Sequence, residues 1–406
     1  MVHRPPLMLS AHRAAAPAGR SVVFVSHHDR NLYRFRLPIM MHLVESGVTV
    51  YAVCPAGEVA HRFADHGIRH VEFPVDRLTF SPFRAARTIR RLHQILDGLR
   101  PAIIHSFTLR PNLYVNLAAL GLRSVVLNSV TGLGSLYAGD GGARRAALRT
   151  LVNAATRLAT RWRANVVIFQ NPDDRRYYRR HRLCRESQAR LIAGSGVDIS
   201  EFSCARFDTE TGVRLRHSWG IARDATLVTM IARLISSKGV GEFLEAAMQL
   251  KDRATFVLIG APDPGNPDRL PDEEIDCAVS EAGVIRTGRQ DNIPEWLCAS
   301  DVYVLPSYRE GLPRTVLEAM AMELPIVTTD VPGCRETVTD GENGFLVPVR
   351  DARSLAEAID KLLSDRGKRR EMGRRSREIV ESRFRIEGVV EEHVSLYAEM
   401  IRGAGV

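Results

Sequence analysis

No apolar run in this 406-residue chain approaches the length of a membrane-spanning helix, about eighteen residues or more. Its first twenty residues, MVHRPPLMLSAHRAAAPAGR, scatter Arg, His and Pro where a secretory signal needs an apolar stretch. Both absences predict a cytoplasmic protein. The six cysteines, Cys54, Cys184, Cys204, Cys277, Cys298 and Cys334, lie far apart, with neither CxxC pairs nor His-rich ligand spacing. That pattern speaks against a zinc site or disulfide framework and for reduced thiols. Tandem repeats are missing too, and low complexity is confined to an N-terminal arm, residues 1–20, expected to be disordered.

What is present is enough apolar material, 45% of the chain, to bury two ordinary cores. The net charge of +9 conceals an asymmetry, because residues 1–200 carry 29 Arg/Lys against 12 Asp/Glu and the remainder 27 against 35. The first half is therefore basic, at +17, and the second mildly acidic, at −8. Much of the positive charge lies in 144–190, where ARRAALRTLVNAATRLATRWR reads as a helix carrying Arg144, Arg145, Arg149, Arg157, Arg161 and Arg163 beside Leu158 and Trp162. Such a face suits an anionic cytoplasmic membrane surface, on which the protein would sit as a peripheral partner. It also suits nucleic-acid phosphates, or plain solvent.

Short β-branched runs alternate with amphipathic stretches. SVVFVSH (21–27), VTVYAVCP (48–55), RHVEFPV (69–75), AIIHSFT (102–108), SVVLNSV (124–130) and NVVIFQN (165–171) make one series. TLVTMIARL (226–234), TFVLIG (255–260), VIRTG (284–288), DVYVLPS (301–307) and PIVTTD (325–330) make another, and FRAARTIRRLHQILDGL (83–99) exemplifies the helices between. Near-continuous apolar strands alternating with helices predict parallel sheets covered on both faces. The fold class is α/β: two doubly wound Rossmann-like domains, 21–198 and 225–383, with a linker over 199–224 and a C-terminal segment over 384–406.

Ligands of such sheets bind beyond the carboxyl ends of the strands. In SYREGLPRTVLEAM, Glu310 falls on the loop after a strand and Glu318 about one turn into the next helix, which Pro313 is placed to start. On one continuous helix, eight steps would put the two carboxylates about 12 Å apart along the axis, so the bend is what lets both face one ligand. Between them the N–H groups of Arg314, Thr315 and Val316 form a helix start suited to phosphate. In ARLISSKG, Arg233 and Lys238 place two cations over the same sheet edge. Each charge alone reads as a solvated surface residue, but their convergence favours a site.

These segments, with GRQDNIPEWL and the later GENGFLVP, resemble the donor-binding half of glycosyltransferase family 4, retaining enzymes of the GT-B fold, over most of 225–365. The resemblance implies two domains facing across a cleft, with the first binding an acceptor and the second a nucleotide-sugar donor, UDP-linked. It implies that Glu318 holds the ribose, Arg233 and Lys238 the diphosphate and Glu310, with Gly311 and Leu312, the transferred sugar, while backbone around Arg289 meets the base. It also implies that 384–406 is a helix crossing back to the first domain. The sequence contains no Asp-x-Asp, the pair with which metal-dependent transferases hold a cation, so fixed cations and no metal or other cofactor are expected. No second acidic motif offers a nucleophile for double displacement.

PAIIHSFTLRPNLYVNLAAL and NSVTGLGSLYAG are similar to the branch that extends glycans on polyprenyl-diphosphate carriers in surface-polysaccharide assembly. There His105 is implied to approach the donor sugar or the acceptor, and the frequent second histidine is Phe107 here. Arg110 follows on the same segment. In TGLG, Thr131 and Gly132 would present flexible backbone to the cleft, and an ordinary tight turn explains the glycines equally well. The loop SHHDRNLYRFR (26–36) lacks the paired glycines of many relatives, and His27, Arg30, Asn31 and Arg34 make it fit for an anionic, lipid-linked glycan acceptor. A sugar-nucleotide epimerase or hydrolase would share the architecture and differ in its products. A nucleic-acid binder would leave Glu310 and Glu318 unexplained, and no RNP-type aromatic stripe or helix-turn-helix supports one.

Overall fold

A computed structural model describes residues 20–74, 82–137, 142–208, 210–266 and 268–404. Apart from Arg20, the arm expected to be disordered lies outside them. Among the described residues, thirteen strands form two sheets whose pairings are all parallel. In the first, β1 (Ser21–Val25), β2 (Thr49–Cys54), β3 (Arg69–Glu72), β4 (Ile103–Phe107), β5 (Val125–Val130), β6 (Val166–Phe169) and β7 (Ala189–Leu191) stand in the order 3-2-1-4-5-6-7. In the second, β8 (Leu227–Ile231), β9 (Thr255–Ile259), β10 (Ile285–Gly288), β11 (Val302–Leu305), β12 (Ile326–Thr329) and β13 (Gly344–Val347) stand in the order 10-9-8-11-12-13. The strand order reverses between β1 and β4 and again between β8 and β11, so each sheet opens a crevice at those carboxyl ends.

The alternation in the sequence becomes a two-sided core. Val22, Phe24 and Ile103 face one hydrophobic cluster, while Val23, Val25 and Ile104 face another on the opposite side of the same sheet. Two strands were not foreseen. β7 has no apolar run and is an edge strand held by pairing with β6. β13 lies inside GENGFLVP, where a Cβ at Gly344 would overlap the Ile326 carbonyl oxygen, so only glycine lets the two backbones pair this closely.

Residues 199–224, expected as a linker, pack as part of the second unit. Phe202 and Ile221 are buried in its core, and Arg216, on the helix Thr211–Ser218, donates to the Ala299 carbonyl and pairs with Asp301 at 2.8 Å. The chain passes between the units at two adjacent points. Val197 N–H donates to Phe384 O at 2.9 Å and Ile386 N–H to Val197 O at 3.1 Å. Gly196, at φ +67°, permits the approach, since a Cβ there would lie 2.7 Å from Ile386 Cα.

Beyond this crossing the helix Ile386–Ala404 inserts Val390, Val394, Tyr397 and Ile401 into the core of the first sheet. Its Tyr397 hydroxyl lies 2.6 Å from His105 Nδ1, and Ser129 Oγ lies 2.8 Å from His105 Nε2. His393, 1% exposed, donates through Nδ1–H to the Val389 carbonyl, 2.8 Å away, and stacks over His105 at 5.8 Å. Burial, then His393 and Arg36, hold His105 well below the usual histidine range, and burial with nearby Arg36 lowers His393 to about 4. Burial thus favours the neutral form of both rings.

A histidine whose folded pKa is depressed stabilises above its unfolded pKa of about 6.5 and loses that contribution as pH falls through the folded value. By pH 5 the loss at His393 alone is about 2 kcal/mol. Urea midpoints at pH 7.5 and pH 5 should therefore fall further for the wild-type chain than for His393→Leu. Equal falls would show that the buried ring does not govern the acid sensitivity of this junction.

Candidate functional site

The second sheet gathers most of its chemistry at the ends of β8 and β11. After β11 the chain runs through Ser307 to Glu310, and the helix Arg314–Ala321 begins with Pro313 as its N-cap rather than inside its first turn. Glu310 accepts a hydrogen bond from Ser307 Oγ at 2.7 Å and forms an ion pair with Lys238, which ends the short turn Ser236–Lys238 after β8. Glu318 is 1% exposed; Arg314 Nε donates to its Oε1 at 2.9 Å. Its Oε2 is buried without a hydrogen-bond partner among the described residues. A desolvated carboxylate oxygen with nothing to accept from is costly, and donors from a ligand relieve it.

Arg233 lies two residues past β8 and pairs with Asp263, while remaining about half exposed. Arg289, past β10, is exposed, 3.4 Å from Asp291 and 3.6 Å from Glu58 of the first unit. The start of the helix Arg314–Ala321 differs in one respect from the sequence reading. Val316 N–H donates back to Pro313 O at 3.1 Å, so Arg314 and Thr315 supply the amides without a partner inside the helix.

The two units meet around the Glu310 loop. Asn171, fully buried, donates through Nδ2 to the Gly311 carbonyl at 2.7 Å. Arg309 forms an ion pair with Asp174, which is fully buried at the first turn of the helix Pro172–Arg180, and Asp174 N–H donates to Asn171 Oδ1 at 2.8 Å. Burial raises the Asp174 carboxyl above the usual range, against the pull of Arg309 and Asn171. A Cβ at Gly311 would overlap the Thr131 carbonyl oxygen and lie 2.6 Å from Gln170 Oε1, and one at Gly132 would lie 3.0 Å from Gly311 N. Thr131 and Gly132 therefore touch the loop bearing Glu310. Leu312 fits beneath Gly194, where a Cβ would lie 2.7 Å from Leu312 Cδ2.

The segment 26–36, read as a loop, is mostly the helix Asp29–Phe35. Asp29, 1% exposed, fixes it by accepting from Arg30 N at 2.7 Å and Val59 N at 2.8 Å. Arg30 pairs with Glu58, Asn31 is half-buried on the same helix, and the Arg34 carbonyl accepts from Arg314. His27 Nδ1 and Thr108 Oγ1 share a hydrogen bond of 3.0 Å. Arg110 is half-buried in the first turn of the helix Leu109–Ala118. His105 is a departure from its implied place at the cleft: side chains alternate along β4, its ring turns into the core, and Tyr397 and Ser129 occupy both nitrogens. Phe107, two residues on, lies under the guanidinium of buried Arg36, 4.6 Å from the ring centre.

Sequence reasoning missed Asp263, Ser307, Asn171, Asp174, Arg309 and Arg36. Ser307, Asn171 and Arg309 had a signal, since each closes or follows a strand-like run. Asp174 and Asp263 had none, because which cation each meets is decided by the tertiary fold.

Residues 225–365 match the family "Glycosyl transferases group 1", and residues 34–194 match the family "Glycosyl transferase 4-like domain". The chain is 30% identical over 347 residues to the N,N'-diacetylbacillosaminyl-diphospho-undecaprenol alpha-1,3-N-acetylgalactosaminyltransferase of Campylobacter jejuni, spanning 84% of this chain and 89% of that one. It is 28% identical over 215 residues to the UDP-Gal:alpha-D-GlcNAc-diphosphoundecaprenol alpha-1,3-galactosyltransferase of Escherichia coli, covering 52% of this chain and 54% of that protein. The structure of HepE from Anabaena in complex with UDP and glucose superposes with a TM-score of 0.77 at 19% identity, over 93% of this chain and 99% of that one. Two Rossmann-like sheets with their crevices opposed, and this likeness along nearly the whole chain, establish that the protein is a glycosyltransferase of family 4 with the GT-B fold.

Proposed function

We propose that the chain transfers a sugar, with retention and without a metal, from a UDP-sugar to a glycan carried on polyprenyl diphosphate at the cytoplasmic membrane face. The observation that carries the donor half is Glu318, buried, with one oxygen on Arg314 and the other unsatisfied at the sheet edge. Ribose hydroxyls would satisfy that oxygen. Arg233 and Lys238 then lie toward the diphosphate, with the Arg314 and Thr315 amides adding partial positive charge at the helix start. Glu310, flanked by Gly311 and Leu312, faces the transferred sugar, and the backbone at Arg289 the base.

As the anomeric C–O bond breaks, negative charge grows on the diphosphate and positive charge on the sugar. Arg233 and Lys238 stabilise the first and the Glu310 carboxylate the second. Fixed cations here take the place that an Asp-x-Asp-bound metal fills elsewhere, and the sequence has no such pair. The acceptor hydroxyl attacks on the face from which the phosphate leaves, and its proton departs with that phosphate. The acceptor half rests on the two undecaprenol-linked activities named for the relatives and on the polar and basic residues His27, Arg30, Asn31, Arg34 and Arg110 at the first crevice, with Thr131 and Gly132 at the junction.

No helix among the described residues is long and apolar enough to cross a membrane. The helix Ala143–Arg163 offers a surface instead: Leu151, Leu158 and Trp162, 67%, 50% and 71% exposed, share one face with Arg144 and Arg161. Arg163 does not belong to that face, because it donates to the Ala119, Leu122 and Ser124 carbonyls and holds the end of the helix Leu109–Ala118.

Incubation of the purified chain with a panel of UDP-sugars and extracted polyprenyl-linked acceptors, in EDTA, should give a lengthened lipid-linked glycan with the anomeric configuration of the donor. Free sugar or an epimerised nucleotide sugar as the sole product would favour the hydrolase or epimerase, and restoration of activity by magnesium or manganese would overturn metal independence. Arg233→Ala and Lys238→Ala should each lower turnover by a factor on the order of 10² or more. Glu318→Gln should act mainly through donor affinity, since ribose contacts change little toward the transition state. Wild-type turnover in both cation variants would remove the donor assignment.

The membrane reading has its own test. The chain should sediment with anionic vesicles and not with neutral ones at low salt, and Arg144 and Arg161 changed together to Glu should abolish this while leaving UDP binding intact. Equal sedimentation with both vesicle types would mean that the arginines serve only solvation.

A further inference from the structure

The helix Arg314–Ala321 opens on a cation that its own physics does not ask for. A positive side chain at the first position meets the positive end of the helix dipole, and an arginine four residues before a glutamate is the less favourable order for a pair on one helix. What the side chain gains lies in the other unit. Its Nε donates to Glu318 Oε1 at 2.9 Å, its Nη1 donates to the Arg34 carbonyl, and its guanidinium stands over the Phe35 ring at 5.5 Å. Arg34 and Phe35 close the helix Asp29–Phe35. Four residues beyond Arg34 stands Pro38, which has no N–H to return to that carbonyl as a continuing helix would. A residue of the second unit therefore completes the end of a helix in the first. The start of the same helix also reaches across, since Glu58, the partner of Arg30, lies 3.6 Å from Arg289.

Arg314 thus holds Glu318 with one nitrogen and the acceptor-side helix with another, and only 13% of its side chain is exposed. The planar guanidinium fixes these two bonds relative to one another, which a single ammonium cannot do. Resting on the donor and acceptor readings above, we propose that the Arg314 side chain is a positioning residue that registers the helix Asp29–Phe35, with its Arg30, Asn31 and Arg34, against the ribose carboxylate. Glu318 Oε1 belongs to Arg314, and Oε2 has no partner among the described residues. Ribose hydroxyls donating to Oε2 hold the carboxylate in one orientation, the carboxylate holds the guanidinium, and the guanidinium holds the carbonyl that ends the helix. Occupancy of the donor site is felt in this way where the acceptor is to bind. By linkage, an acceptor bound at that helix strengthens the hold on the donor by the same factor.

Hydrogen exchange reads this coupling with UDP as the only ligand. UDP at a concentration that calorimetry shows to be saturating for each variant should slow amide exchange across residues 29–36 about fivefold or more in the wild-type chain. Arg314→Met should lose that protection while UDP still protects residues 233–239. Arg314→Lys, with one ammonium in place of two fixed nitrogens, should keep less than half of it, and it carries the test if the methionine variant falls below the wild-type thermal midpoint. In transfer assays Arg314→Met should raise KM for the extracted polyprenyl-linked acceptor about tenfold, and by more than it raises donor KM. A wild-type chain that binds UDP without protection of 29–36, protection that survives undiminished in either variant, or a rise confined to donor KM would overturn the proposal. Failure of the wild-type chain to bind UDP at all would instead remove the donor reading, and this proposal with it.

Discussion

The architecture turns on one seat, the place where the loop Arg309–Leu312 of the second unit rests on the first. Glycine makes the seat possible at three points. Gly311 passes under the Thr131 carbonyl, Gly132 lies against Gly311, and Gly333 leaves room for the Glu310 carbonyl, which a Cβ would approach to 2.5 Å. Asn171 and Asp174 then fasten the two residues flanking Glu310, one through the Gly311 carbonyl and one through the Arg309 guanidinium. A buried pair such as Arg309–Asp174 adds little net stability, because desolvation offsets most of the attraction. It does specify position. The carboxylate proposed to face the transferred sugar is thereby located by residues of the unit proposed to hold the acceptor.

The same economy of charge runs through the cleft. Lys238 and Glu310 neutralise one another, as do Arg314 with Glu318 and Arg233 with Asp263. Each cation is kept in place by a carboxylate before any anion arrives, which lowers the cost of holding like charges together at one sheet edge. A diphosphate in the proposed donor site would meet cations already paired with carboxylates. The entropy of fixing long arginine and lysine side chains is spent in folding rather than in binding.

Much of this was legible in the sequence, because parallel sheets buried on both faces write themselves as apolar runs, and the residues after those runs fall at the crevice. The bend between Glu310 and Glu318 could be read from a strand, a proline and a helix in succession. Less legible were facts fixed by alternation and by distance along the chain. Whether His105 faces cleft or core depends on a parity along β4 that IIHSF, buried at every position, does not reveal, and its partner Tyr397 lies 292 residues away. The helical character of 29–35 depended on Asp29 reaching the Val59 amide. The role of 199–224 depended on apolar residues, Phe202 and Ile221, too few to show a period.

The crossing at Val197 and Ile386 has a consequence for how the protein is made. The first core includes Val390, Val394 and Tyr397, so its 190-odd leading residues leave the ribosome without the helix that completes them. At roughly 5–20 residues per second, synthesis of the intervening unit takes about 10–40 s, long compared with the folding of a single domain. Through that interval the face of β1, β4 and β5 that will receive Tyr397 stays open to water or to a chaperone, while the second unit can close around its own core as soon as it emerges. The unit begun last is therefore free to finish first.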